Sequence, residues 1–434
     1  MKKASVMLIC SIMIFAMFAG CGGQQPAKES AATAPAADAA PAAEKVKIVF
    51  CVNIQPQLPL EFWQSIADKY TKQNPNVTIE VIGQPSTETI FSYQQTLLAT
   101  GQFPDVMVMQ NSADFAAVDA LLPLADSELD FIADTSIGKI DGVQYVANYK
   151  KQIIGVFYNK DMFEANGISV PTTYQQFIDN CETLQANGIL PVSIGINDGW
   201  PQIMLANMLA GTDLLAKDPT WGAKRNADTV KFNNPELVKG MKKYQFICQT
   251  YAGGSLASIT YEQMLSQFFD GTAAMLPMGS WVNAEVAKEA HSFKAGWFPM
   301  PGDNDANTLS VFVNEGLSIG ANTKHPDVAK DFIRLFFTDK ELYGFFLESE
   351  QLFSTTKEPV EYDMIPLRKE METIIAGMNE VEGFESMTGD AAFLPGLKDY
   401  YTNILTQNLA TGADVASELD AFDREWQISK DALS

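Results

Sequence analysis

The sequence predicts an α/β protein with enough chain for two lobes, and three observations carry that expectation. Strand-like and helix-like stretches alternate from Val46 to Met109, the pattern of a largely parallel sheet with helices packed on it. The structured part starts near Val46 and runs for 389 residues, more than one hydrophobic core usually fills. Composition is that of an ordinary globule, 47% hydrophobic and 11% aromatic, which supplies the apolar surface such cores need.

Ahead of that region, Lys2 and Lys3 precede an apolar run from Ala4 to Phe18 that ends in Phe18-Ala19-Gly20-Cys21. A basic end, an apolar stretch too short to span a bilayer comfortably and small residues before a cleavage point form an export signal, residues 1–20. The cysteine at the cut resembles a bacterial lipobox, with Phe18 where Leu is usual. The resemblance implies a diacylated Cys21 that anchors the protein to a membrane surface as a lipoprotein. An uncleaved anchor or an ordinary secretion signal stays open, and each places the protein outside the cytoplasm, at a cell surface or in a periplasm. Residues 22–45 hold ten Ala and three Pro, too little to bury, and read with Cys21 as a tether.

Val46 to Val52 is β-rich, and Leu60 to Lys72 carries Phe62, Ile66 and Tyr70 at helical spacing. Val77, Ile79 and Val81 alternate with polar residues, a helix follows around Phe91 to Thr100, and Asp105 to Met109 forms another strand. Ligands of such sheets bind at the loops after the strands' carboxyl ends. The first of these, Asn53-Ile54-Gln55-Pro56-Gln57, has no glycine to cradle a phosphate. Ile153 to Tyr158 is strand-like and leads into a short helix from Asn159 to Phe163. Thr172 and Gln175 have capping-box spacing ahead of Tyr174, Phe177, Ile178, Cys181 and Leu184, and Asn187-Gly188 closes that helix. Ala273 to Pro277 is a strand before Gly279-Ser280-Trp281, and Pro326 to Phe337 is a helix with Pro in its first turn.

Net charge is −23, and −25 once Lys2 and Lys3 are removed. That acidity argues against nucleic acid or an anionic membrane as a partner. Cys51, Cys181 and Cys248 remain beside Cys10 and Cys21, and three cysteines among apolar neighbours are expected to be buried thiols. Only His291 and His325 exist, so neither a histidine zinc site nor a Ser-His-Asp arrangement assembles readily. Asp303, Asp305 and Asn307 have the 1, 3, 5 spacing of a calcium loop, but Gly is missing at the sixth position and Asn314 stands at the twelfth. No metal, cofactor or catalytic residue is expected.

Ordered motifs then carry a family resemblance. They are Gly101-Gln102-Phe103-Pro104-Asp105-Val106, Tyr158-Asn159-Lys160-Asp161-Met162-Phe163, Gln185-Ala186-Asn187-Gly188-Ile189-Leu190-Pro191, Gly271-Thr272-Ala273-Ala274-Met275, Gly279-Ser280-Trp281, Lys324-His325-Pro326-Asp327-Val328-Ala329 and Thr411-Gly412. In this order the chain resembles the extracellular solute-binding proteins of bacterial ABC importers, the carbohydrate-binding family that includes maltose-binding protein. The resemblance implies a two-lobed periplasmic-binding-protein type II fold, a ligand cleft between lobes and closure by hinge bending. It implies an N-terminal lobe from 46–150 and 298–352, a C-terminal lobe from 151–297 and 353–434, and crossings near Tyr149 to Ile153, Gly296 to Gly302 and Gln351 to Thr355. The implied partners are a small carbohydrate and ABC permease subunits; the mature domain is expected as a monomer, with a dimer left open.

Sugars offer apolar faces and a rim of hydroxyls, so their sites combine aromatic rings with amides and carboxylates. Trp281 matches the family's stacking Trp, and Trp200 lies in the loop Asn197-Asp198-Gly199-Trp200-Pro201. Trp63 and Trp426 fit the core, while Trp221 and Trp297 stay open. Gln55, with Asn53, and Asn111 and Ser112, with Gln110, occupy the first strand loops, whose amides suit a neutral ligand. Gln152 near a crossing, Asp198, Asn314-Glu315 in a later cleft loop, and Tyr400 beside Asp399 complete the candidate ligand set. The expectation is a non-enzymatic receptor for a neutral sugar or oligosaccharide. A polyol, a glycerol phosphate ester, a polyamine, or an extracellular carbohydrate-active enzyme are the alternatives.

Overall fold

In the computed structural model, residues 45–433 are described except 56, 57, 289–291 and 314. Cys21, Asn314 and His291 therefore lie outside the described residues. The strands, in chain order, are β1 (Val46–Val52), β2 (Val77–Gly83), β3 (Val106–Met109), β4 (Ala147–Asn148), β5 (Gln152–Asn159), β6 (Leu190–Val192), β7 (Ala273–Gly279), β8 (Ala295–Phe298), β9 (Thr308–Phe312), β10 (Gly316–Ile319) and β11 (Asn379–Glu382).

They form two sheets. The first has the order β2-β1-β3-β10-β4, the second β11-β9-β5-β7-β6 with β8 also on β5. β1 pairs in parallel with β2 and β3, Val46 opposite Val77. β10 and β4 add antiparallel partners. In the second sheet β5 is antiparallel to β7, β8 and β9. The largely parallel expectation is thus corrected to mixed sheets, because strands returning from one sheet to the other enter against the local direction.

Local sequence explains each layer. β2 buries Val77 and Ile79 while Thr78 and Glu80 face solvent, a period of two. β3 is buried on both faces. Val106 and Val108 join the core under the helices Leu60–Gln73 and Pro326–Thr338, and Met107 and Met109 join a second cluster with Phe115 and Leu97. Trp63, at the centre of the first core, packs edge-on against Phe50 and stacks on Phe336. A larger core surrounds the second sheet and takes in Trp221, Trp297 and Trp426. The three cysteines are buried free thiols, and burial pushes Cys51 and Cys248 up to about 12.

The cap expected at Thr172 falls on Thr173, and no reciprocal capping box forms there. Thr173 accepts from the Gln176 backbone N–H, and the Gln176 side chain accepts from the Thr172 backbone. Asp303, in the candidate calcium loop, instead faces Lys239 and Lys243, the latter at 2.8 Å.

The chain moves between sheets at three places. Tyr149 belongs to the first core and Ile153 to the second. β9 pairs in the second sheet and β10 in the first, so the passage lies between Phe312 and Gly316 and not near residues 296–302. Thr308–Phe312, inside the segment expected in the N-terminal lobe, is therefore part of the second sheet. Leu352 belongs to the first core and Phe353 to the second. The first and third passages are bonded together, Lys151 N–H donating to Phe353 O at 2.9 Å.

Candidate functional site

A cavity of about 1120 Å³ opens between loops of the two sheets and the passages that join them. Gln55, Gln110 and Asn111 reach it from the loops after β1 and β3. Lys150, Gln152, Glu315 and Glu350 come from the passages, and Asp198, Trp200, Tyr261 and Trp281 from the second sheet's side. Ligand sites commonly enclose about 300–1,000 Å³, so this open cleft is on the scale of a small-molecule site.

Three rings form its aromatic wall. Trp200 lies 4.8 Å from Tyr261 and 6.2 Å from Trp281, centroid to centroid. All three are half-buried, with one side packed on the second core. Gly279 sets the orientation of Trp281, since a Cβ there would collide with the indole. Ser280 fixes the turn by accepting from the Ile153 backbone N–H at 3.2 Å.

Tyr261 was not legible as a site residue, although its placement has a local cause. It opens the helix Tyr261–Phe269, whose Thr260 and Gln263 form a capping box. Asp198 Oδ2 then accepts from the Tyr261 backbone N–H at 2.6 Å. Burial raises the Tyr261 phenol far above its usual pKa, so it stays a neutral hydroxyl.

The floor of the cavity is ionic. Lys150 Nζ lies 3.2 Å from Glu315 Oε2 and 3.4 Å from Glu350 Oε2, and all three side chains are under a tenth exposed. Tyr149 Oη donates to Glu315 Oε1. Burial pulls the Lys150 ammonium down, but the two carboxylates outweigh it and leave its pKa raised. Each of the three passages contributes to this cluster.

Gln55, Asn111, Gln152, Asp198, Trp200, Trp281 and Glu315 thus share the cavity wall. Ser112 does not reach it; it starts the short helix Ser112–Ala116. Tyr400 is turned away and stacks on Phe422, ring centroids 5.4 Å apart at 8°. The neighbours that do line the cavity are Lys398, Asp399, Thr402 and Asn403. Asn53 is buried and accepts from Gln84 Nε2. Among the described residues no group of three or more His, Cys, Asp or Glu is arranged to hold a metal.

The chain is similar to known proteins in sequence and in fold. Residues 57–342 match the family model for bacterial extracellular solute-binding protein, more than half of the chain. The chain is 22% identical over 302 residues to the multiple sugar-binding protein of Streptococcus mutans, covering 65% of this chain and 69% of that one. It is 21% identical over 356 residues to a putative ABC transporter periplasmic-binding protein of Escherichia coli, covering 77% and 74%. Among solved structures, a chitin oligosaccharide binding protein superposes with a TM-score of 0.76 at 21% identity, covering 89% of this chain and 99% of that one. A raffinose complex of a solute-binding protein gives 0.69 at 20% identity, covering 88% and 99%. Likeness at this identity fixes the two-lobed type II binding-protein fold, and with the family match it shows that the chain belongs to the bacterial extracellular solute-binding proteins.

Proposed function

We propose that the protein is the receptor of an ABC importer, lipid-anchored through Cys21, that captures a sugar or oligosaccharide and presents it to permease subunits. The observation that carries the reading is the aromatic wall of Trp200, Tyr261 and Trp281 facing the amides Gln55, Asn111 and Gln152 across one cavity. Rings take the apolar faces of a sugar and amides take its hydroxyls. A neutral saccharide answers both. Relatives named for multiple sugars and for diacetylchitobiose support a saccharide cargo. Two of the wall's three lysines offer a phosphate ester little, because Lys150 is held by two carboxylates and Lys288 lies 2.7 Å from Glu285.

The proposed trap binds by closing its lobes on the ligand, a shift driven by contacts that exist only in the closed form. The test is a thermal-shift and calorimetric screen of residues 46–434 against mono- and oligosaccharides, polyols, phosphate esters and polyamines, with recovered ligands checked for cleavage. A tight ligand raises the melting temperature by mass action. Stabilisation by an intact saccharide supports the receptor. A response only to phosphate esters or polyamines removes the saccharide, and a cleaved product replaces the receptor with an enzyme.

A further inference from the structure

The cavity ends, on the second sheet's side, in a polar recess that a neutral saccharide leaves unanswered. Glu385 and Thr402 line it, with Lys398 and Asp399 at its rim. Glu385 is buried on the short turn Phe384–Ser386 and accepts from Asn207 Nδ2 on the helix Ile203–Ala210. Behind them, Gln202 Nε2 donates to Thr402 O at 2.9 Å, and Tyr401 lies beside Glu385.

Thr402, which lines the cavity, has a buried Oγ1 with no hydrogen-bond partner among the described residues, and Gln202 Oε1, Asn207 Oδ1 and Tyr401 Oη, buried behind the wall, have none either. Such atoms are normally paired, with protein, water or ligand, because leaving them bare is costly. Two are amide oxygens that only accept, and two are hydroxyls that can accept. At the cavity wall itself the acceptors are the Glu385 carboxylate and the Thr402 hydroxyl, with the other three oxygens behind them. Among the described residues Lys398, at the rim, is the lysine whose charge acts on Glu385.

The bare count of charges on the whole wall decides nothing. Seven carboxylates face three lysines there, close to the chain's own 53 to 30. Burial is what separates Glu385 from that background, since a buried carboxylate is costly without a partner. Burial raises its pKa, and Lys398 and the Asn207 hydrogen bond only partly oppose this.

Resting on the saccharide-receptor reading, we infer that this recess is a terminal subsite for a protonated amine, so that the cargo is a saccharide carrying an amino group which Glu385 receives beside the Thr402 hydroxyl. Rings select the sugar; the recess selects its amine. A hydrogen bond to a charged partner is worth more than one between neutral groups, and the expected preference over the matching neutral sugar is roughly tenfold.

The test is calorimetric titration of residues 46–434 with paired ligands differing at one group. Glucose, galactose and mannose are matched with their 2-amino forms, and cello-oligosaccharides with glucosamine oligomers and N-acetylglucosamine oligomers. The wild type is expected to bind the amino member about tenfold more tightly. Glu385→Gln should abolish that preference while leaving the neutral member's affinity in place. Because Glu385 is buried, its variant is checked by melting temperature, and Asp399→Asn on the exposed rim serves as the variant that leaves folding untouched; it should narrow the preference. Equal affinity for neutral and amino members, rejection of the amino members, or a preference that survives both substitutions overturns the inference. Failure of every saccharide overturns instead the receptor reading on which it rests, a separate and recognisable result.

Discussion

Replacing Lys150 by Met tests whether the ionic floor holds the molecule together. Lys150 is the only cation within salt-bridge reach of Glu315 and Glu350 among the described residues, and its side chain is 4% exposed. Removing one partner of a buried ion pair leaves an uncompensated charge and costs about 3–5 kcal/mol. Little of that is screened, since solvent barely reaches the cluster. An unfolding entropy of about 2.1 cal/mol/K per residue, over the unit Lys45–Ser434, turns this into a fall of about 4–6 °C in melting temperature. Differential scanning calorimetry near pH 7 reads it directly. The pKa of Lys150 is raised by its partners, so its contribution is complete below the unfolded lysine value and fades only as pH climbs through the raised folded value. The gap between wild type and variant should therefore hold across neutral pH and close under strongly alkaline conditions. A fall below about 1 °C near neutral pH, or a gap that stays open under strongly alkaline conditions, would refute the idea that a charged Lys150 balances the two carboxylates.

Three further outcomes follow from the site and its surroundings. Trp281→Ala should weaken saccharide binding by about 2 kcal/mol, roughly thirtyfold, without loss of fold, because a buried ring at the centre of a contact commonly carries this much; unchanged affinity by titration removes the ring from the site. Gly279→Ala drives a methyl into the Trp281 indole, so tryptophan emission should shift and affinity fall while circular dichroism stays as it was. At Asp303 burial pushes the carboxyl up, yet Lys239 and Lys243 hold it lower, at about 2 against a usual 3.8. Its stabilising share is present above the usual value and lost as pH falls toward 2, so Asp303→Asn should lower stability at pH 6 and match wild type near pH 2 in acid titrations followed by fluorescence.

The alternation of strands and helices was legible because hydrophobic period tracks burial. Val77 and Ile79 point one way, and the apolar face of the helix Pro326–Thr338 buries Phe332 and Phe336. Sheet direction was not legible, since a parallel or antiparallel partner leaves the same residues buried. Trp200 and Trp281 could be picked out through the family resemblance of the segments that carry them, and both lie on the cavity wall. Tyr400 misled because its ring packs on Phe422 instead of entering the cavity, while Asp399 and Asn403, four residues apart, line it. Tyr261 had a readable cause in the Thr260 to Gln263 cap, but nothing in sequence brings that cap beside Asp198. Lys150, Glu350 and Glu385 had no signal, for charges 200 residues apart meet only through topology.

On the receptor reading, the placement of these residues divides their work. Trp200, Tyr261 and Trp281 all pack on the second core, so a sugar stacked on them gains the same contacts whether the lobes are open or closed. Such contacts bind without driving closure, because a ligand moves a conformational equilibrium only by its difference in affinity between the two states. Gln55, Gln110 and Asn111 approach from the first sheet, and their contacts are added only when the lobes come together. Lys150, Gln152, Glu315 and Glu350 sit on the passages that must flex in between. A ligand oxygen resting on that floor touches the ion cluster that all three passages share, so the cluster that stabilises the fold is also where binding can bias the hinge.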